Sequence, residues 1–143
     1  MLATLPEVRY LRLWALPKLA SLDFISRMTN PEGLSLDAMT TVTRFPDVRK
    51  LSRLRTIKLS GMTALRDISA LQRAPALEEF VYPKISHHRP EDFLPVLQNR
   101  TLKRGGFGFH RKPDVALMTQ LIERAGIDGE VYMYPQVRGA FPE

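Results

Sequence analysis

The chain has no cysteine among its 143 residues, which excludes disulfide staples, thiolate nucleophiles and cysteine-ligated zinc outright. It has no apolar run near the roughly 18 residues that cross a bilayer, so no membrane partner is expected. Glu7, Arg9, Arg12 and Lys18 break up the leucines of the amino end and leave no signal-peptide core. A cytoplasmic, soluble protein is the expectation. Catalytic signatures are missing too. No serine sits in a nucleophile elbow, and no His-Glu-x-x-His occurs. His87 and His88 are neighbours that face opposite ways on an extended segment, with His110 distant in sequence, so surface or capping roles are expected rather than a shared metal. Asp23, Asp67, Glu78 and Glu79 have no second acid or nucleophile set beside them and read as turn and solvated residues. Gly105-Gly106-Phe107-Gly108-Phe109, beside Lys103 and Arg104, lacks the spacing of a phosphate loop and the fuller motif of RNA-binding strands. Gly108 reads instead as a strand position that another backbone approaches closely. The expectation is a non-enzyme without cofactor or metal.

What is present is a period. Leu11-x-Leu13, Leu34-x-Leu36, Ile57-x-Leu59 and Phe80-x-Tyr82 recur at a constant spacing of 23. Between the pairs an apolar residue returns at every third position. From Leu36 these are Met39, Val42, Phe45, Val48, Leu51 and Leu54; from Leu59 they are Met62, Leu65, Ile68, Leu71, Ala74 and Leu77. The first copy gives Leu16, Leu19, Leu22, Ile25 and Met28 and fails at Pro31, so 23 of 24 slots in three copies are apolar. At 44% hydrophobic content overall, chance does not produce this. A fixed period of this length implies a solenoid, in which each copy buries its apolar edge against its neighbours.

The alternating pairs predict short strands with both apolar residues on one face, stacked into a parallel sheet on a concave side. A strict three-residue step does not fit an α-helix, whose stripe alternates three and four. It fits extended or 3-10-like turns. Asp23, Asp47 and Asp67, with Pro17, Pro31, Pro46 and Pro75, punctuate the convex side. The fold class is therefore α/β, a leucine-rich repeat solenoid with irregular convex turns and α-helical C-terminal copies. One domain spans 1–143, with regular repeats over about 5–82 and helical copies over about 83–134.

The segment Ile57-Lys-Leu59-Ser-Gly-Met62-Thr-Ala-Leu65-Arg-Asp67-Ile68-Ser-Ala-Leu71 resembles bacterial leucine-rich repeats of the short, internalin-like class. His88-Arg-Pro90-Glu-Asp-Phe93 to Arg100-Thr-Leu102-Lys-Arg, with the Gly-rich strand after it, resembles the terminal part of bacterial leucine-rich repeat proteins without assigned function. The resemblance implies a curved sheet used for contacts and carries no catalytic motif; the missing cysteine excludes a thioester-forming ubiquitin ligase. The sequence departs from that pattern at one slot. The usual asparagine, three residues after the second leucine, is Leu16, Met39, Met62 and Ile85, so backbone groups there need other partners.

After Tyr82 the period lengthens. Phe107-x-Phe109 reads as the next pair, at a spacing of 27, with Val131-x-Met133 or Tyr132-x-Tyr134 as a further strand. Pro90, Glu91 and Asp92 predict a helix start followed by an apolar face of Phe93, Leu94 and Leu97, kept short by Pro95. Pro113 and Asp114 open a clearer helix with a stripe of Val115, Met118, Leu121, Ile122 and Ala125, closed by Gly126. These copies are expected to cap the last apolar edge, and 135–143 to be loosely held. At the other end Leu5, Val8 and Leu11 follow the closing half of a repeat, so the chain enters mid-copy. An upstream segment, a homodimer through the uncapped N-terminal edge, or fraying would each resolve this.

The expected partner is a protein, held on the concave face by Tyr10, Arg12, Trp14, Ser35, Asp37, Thr56, Lys58, Ser60, Glu79 and Val81. Tyr10, Arg12 and Trp14 are the hot-spot types among them. The alternative is nucleic acid or an acidic partner. The net charge is +6, concentrated in Arg49, Lys50, Arg53, Arg55, Lys58 and in Arg100, Lys103, Arg104, Arg111, Lys112. The other alternative is a regulatory domain of a longer protein.

Overall fold

The alternating pairs become strands because each leaves two apolar side chains on one face and polar ones on the other. In the computed structural model, which describes residues 9–16, 18–28 and 31–134, they form β1 (Tyr10–Trp14), β2 (Gly33–Asp37), β3 (Thr56–Ser60) and β4 (Glu79–Ile85). With β5 (Arg104–Phe109) and β6 (Asp128–Met133) they make one six-stranded, all-parallel sheet whose order follows the chain. Tyr10 lies beside Gly33, Gly33 beside Thr56 and Thr56 beside Glu79, so the pairing offset equals the sequence period throughout. The expectations at Leu5, Val8 and Pro17 and over 135–143 fall outside the described residues.

The three-residue step is carried by the backbone of the apolar residues themselves. Ile25 N–H donates to the Leu22 carbonyl at 2.9 Å, Met28 to Ile25 at 3.1 Å, Leu51 to Val48 at 3.0 Å and Leu71 to Ile68 at 3.0 Å. Each i to i+3 bond closes one tight turn and returns the next side chain to the same side. Two stretches form short 3-10 helices, Asp23–Arg27 and Ser69–Arg73. The apolar slots from Leu22 to Leu77 are buried, Pro31 among them, whereas Leu16 is exposed and Leu19 partly so. Ala15, Ala38 and Gly61, in the same slot of three successive copies, turn the chain off each strand through the left-handed region, with φ of 51°, 55° and 63°. Glycine suits Gly61, while Ala15 and Ala38 each bear a cost of about 1 kcal/mol. The turns at 15 and 38 are tied to the next strand, Ala15 N–H to Asp37 O at 2.9 Å and Ala38 N–H to Ser60 O at 2.8 Å.

The register changes at β5, and here the expected spacing of 27 is corrected. Phe80 pairs with Gly105 and Tyr82 with Phe107, an offset of 25, and Arg104 then pairs with Asp128, an offset of 24. Phe107 leans back over the empty side of Gly105, where an added Cβ would lie 2.7 Å from its ring. Both offsets keep the same face inward. The ring centroid of Phe107 stands 5.7 Å from that of Phe80 and 5.4 Å from that of Phe93. Val131 and Met133, rather than Tyr132 and Tyr134, share the face of Phe107 and Phe109. Val131 packs against the core, but Met133 stays 57% exposed.

The helices agree in position more than in detail. A 3-10 turn, Pro90–Phe93, runs into one α-turn, α1 (Leu94–Leu97). Arg89 N–H donates to Asp92 Oδ2 at 2.9 Å at its start. The buried face is Phe93, Val96 and Leu97; Leu94 points outward, because the 3-10 entry rotates it off the core. The second helix, α2 (Lys112–Ala125), ends at Gly126 in the left-handed conformation, as its sequence predicts. It presses Ile122 onto β6, where a Cβ on Gly129 would lie 2.5 Å from the Ile122 side chain.

One buried polar residue has no counterpart in the sequence expectations. Asn99 donates from Nδ2 to the carbonyls of Leu71, at 2.7 Å, in the second 3-10 helix, and of Ala74, at 2.9 Å, just after it. Its Oδ1 accepts from Thr101 N–H at 2.8 Å. Asn99→Ala leaves two buried carbonyls and one amide without these partners. It is expected to lower unfolding free energy by about 2–4 kcal/mol in urea denaturation. A loss below about 0.5 kcal/mol, the level of an ordinary surface substitution, would show that water replaces the amide.

Candidate binding face

The strand residues between the buried ones make a second surface. All ten predicted positions lie on this outer face, and parallel pairing sorts them into rows. Arg12, Ser35, Lys58 and Val81 form the middle row. Tyr10, Thr56 and Glu79 lie in a second row with Gly33, and Trp14, Asp37 and Ser60 in a third. Side chains within a row stand about 4.8 Å apart, one per strand. Tyr10 is 75% exposed and Trp14 is 65% exposed. Gly33 gives Tyr10 its position, since a Cβ there would sit 2.9 Å from the tyrosine ring.

The rows continue onto β5 and β6, beyond the residues expected from sequence. Val81 is followed by Gly106 and Glu130, and Glu79 by Arg104 and Asp128. The signal is present in the chain, because β5 keeps the alternation even though its offset is 25. Gly106 provides the floor of a shallow trough of about 300 Å³ walled by Glu79, Val81, Arg104, Glu130 and Tyr132. Arg104 Nε approaches Glu79 Oε2 at 3.6 Å, an exposed pair of little energetic weight. The face is aromatic and basic at β1 to β3 and mainly acidic at β4 to β6.

Tyr132 and Tyr134 reach back to β4 beside the trough. β4 carries an irregularity between Tyr82 and Ile85, and Gly108 lets it come close: a Cβ there would lie 1.9 Å from the Pro83 carbonyl oxygen. The close approach predicted for Gly108 is therefore present. The Tyr132 ring crosses Gly108, and its hydroxyl donates to Pro83 O at 3.0 Å. Tyr134 donates likewise to Ile85 O at 2.7 Å. Burial, and secondarily Glu130, push the Tyr132 phenol upward in pKa.

Beneath the face, Tyr82 fills a leucine slot and is buried. Its hydroxyl accepts the Met62 N–H at 3.2 Å. Burial pushes this phenol up to about 12. His88, expected at the surface or in a capping role, is partly buried. It packs between the rings of Tyr82 and Phe93 at 5.8 Å from each. Its Nε2 lies 2.6 Å from Leu65 O, and a carbonyl only accepts, so Nε2 carries the hydrogen.

Away from the strands, a depression of about 500 Å³ is lined by Asp23, Arg44, Asp47, Arg49, Asp67 and Ser69. Several of its charged groups have local partners. Arg49 chelates Asp47 at 2.9 Å, Arg44 meets Asp23 at 3.7 Å, and Asp67 accepts from Ser69 N–H and Oγ–H at 2.9 and 2.6 Å. Those bonds hold the Asp47 and Asp67 carboxyls below the usual range. Among the described residues no group of three or more histidines, aspartates or glutamates is placed to hold a metal ion. No described helix is long and apolar enough to cross a membrane.

The chain matches no protein-family model, and neither curated proteins nor solved structures give a significant match. The six-stranded parallel sheet with its short helices and 3-10 turns is the established level of the fold.

The buried phenol makes stability depend on alkaline pH. Its folded pKa lies above the ordinary value of 10.0, so the stabilisation is complete below pH 10 and is lost as pH rises toward about 12. The loss across that window is about 2–3 kcal/mol. Tyr82→Phe forfeits the Met62 bond but removes this titration. The wild-type advantage in urea should therefore shrink or reverse between pH of about 9 and about 11.5. An advantage constant with pH would contradict the burial argument.

Proposed function

We propose that the protein is a leucine-rich repeat solenoid that acts by binding, not catalysis, and that it holds a protein partner on the outer, concave face of its sheet. One observation carries the reading. The ten residues expected at the face stand in rows on β1 to β4, two of which run on through Arg104 and Gly106 to Asp128 and Glu130, with large aromatic side chains left exposed at one end. The constant offset from β1 to β4 and the sequential strand order support the solenoid; the resemblance to internalin-like repeats points the same way.

Binding by such a face works through preorganisation. Strand side chains fixed by a buried underside lose little freedom when a partner arrives, so less contact energy is consumed in ordering. Tyr10 and Trp14 supply large rigid areas beside the Arg12 guanidinium, the composition typical of binding hot spots. The charge gradient along the rows would fix the partner's orientation, an acidic segment over β1 to β3 and a basic one over β4 to β6. A second copy of the chain, joined through β1, is a competing occupant of the aromatic end.

Replacing Tyr10, Arg12 and Trp14 together by alanine is expected to weaken partner capture by at least about 100-fold while leaving the melting temperature within a few degrees. The comparison uses immobilised wild type and variant against the same extract, with light scattering of both for self-association. If the triple variant unfolds, the three residues are structural and the proposal fails. Unchanged capture would also defeat it.

A further inference from the structure

The two basic segments, far apart in sequence, meet at the entrance to the strands. Arg55, Glu78 and Lys103 stand side by side there, since Glu78 N–H donates to Arg55 O at 2.8 Å and Lys103 N–H to Glu78 O at 2.9 Å. Arg53 and Arg100 border the same depression, of about 400 Å³, with Ala76 between them. Ala76 occupies the slot that Arg53 holds in the preceding copy, and its short side chain leaves the hollow open. Four cations thus surround one carboxylate. Glu78 reaches only Lys103, at 4.0 Å, and no carboxylate of the described residues pairs with Arg53, Arg55 or Arg100. This differs from the depression at Asp47 and Asp67, where three aspartates accompany the arginines and Arg44 and Arg49 each face one of them.

We infer that this hollow binds a compact phosphate-bearing polyanion of about the size and charge of a diphosphate. Three exposed, unpaired guanidinium groups around one concavity repel one another, and a multiply charged anion seated among them relieves that repulsion. Arginine forks suit phosphate oxygens, two N–H groups to two oxygens, better than a point charge does. A single open hollow lined by residues of three successive copies favours a compact group. A nucleic-acid strand would call for cations spread along a track. This site lies off the sheet face, so it stands or falls separately from the binding role proposed above.

Calorimetric titration of the full chain with sodium pyrophosphate at low ionic strength tests the inference. Saturable binding is expected, weakened at least about tenfold in Arg53→Ala/Arg100→Ala. Arg111→Ala/Lys112→Ala removes the same charge from another exposed basic stretch and should retain wild-type affinity. Circular dichroism checks that both variants keep the wild-type fold. Absence of saturation, or equal loss in the two double variants, would overturn the site. So would a single-stranded RNA oligonucleotide that binds the wild type and is not displaced by pyrophosphate.

Discussion

A strand in a parallel sheet hands its backbone hydrogen bonds to neighbours on both sides, and in this chain each neighbour is the next copy of the same short pattern. Everything else depends on that pairing holding its register. While Leu11 stays beside Leu34 and Leu34 beside Ile57, the apolar pairs stack on one side and the polar residues align on the other. A slip of one residue would exchange the two faces, bringing Arg12 and Lys58 into the core. The penalty for burying such charges makes register the most strongly enforced feature of the fold.

The path between strands serves the same end. Turns closed by i to i+3 bonds between apolar residues advance the chain while keeping each new side chain inward, so the return path and the sheet share one core. Where that step stops, after Leu77, large rings take over. Phe80, Phe93, Phe107 and Phe109 interlock with Tyr82 and His88, and two further tyrosines reach across β5 to the carbonyls of β4. The result is a change of period without a change of face. On the outer surface this leaves rows of polar and aromatic side chains, which is the physical ground for proposing a binding protein.

Much of this is legible in the sequence because it depends on spacing. Period two names the strands and their faces, period three names the turns, and Pro113 with Gly126 frames α2. The parts that are not legible depend on single long-range contacts. Nothing local to Asn99 shows that its amide meets Leu71 and Ala74, nor does anything local to Tyr82 show that its hydroxyl meets the Met62 N–H. The β5 register escapes because phenylalanine pairs look like leucine pairs. Only the empty side of Gly105 lets Phe107 sit two positions nearer than its spacing suggests. The place of His88 between two aromatic rings is hidden as well, because such a contact has no sequence signature. Of the face, the part on β1 to β4 follows from position alone; on β5 and β6 the alternation is legible but the register that aligns it is not.

The central claim is that successive copies of the repeated pattern are immediate neighbours whose outer residues form rows. The absence of native cysteine makes it directly measurable by paired cysteine substitution and a short bis-thiosulfonate crosslinker. Ser35→Cys with Lys58→Cys places two thiols on adjacent strands about 4.8 Å apart. Ser35→Cys with Val81→Cys separates them by two strand spacings, about 10 Å. The account predicts rapid intramolecular linking of the first pair and little of the second. Equal linking of both, or linking of the second alone, would contradict it.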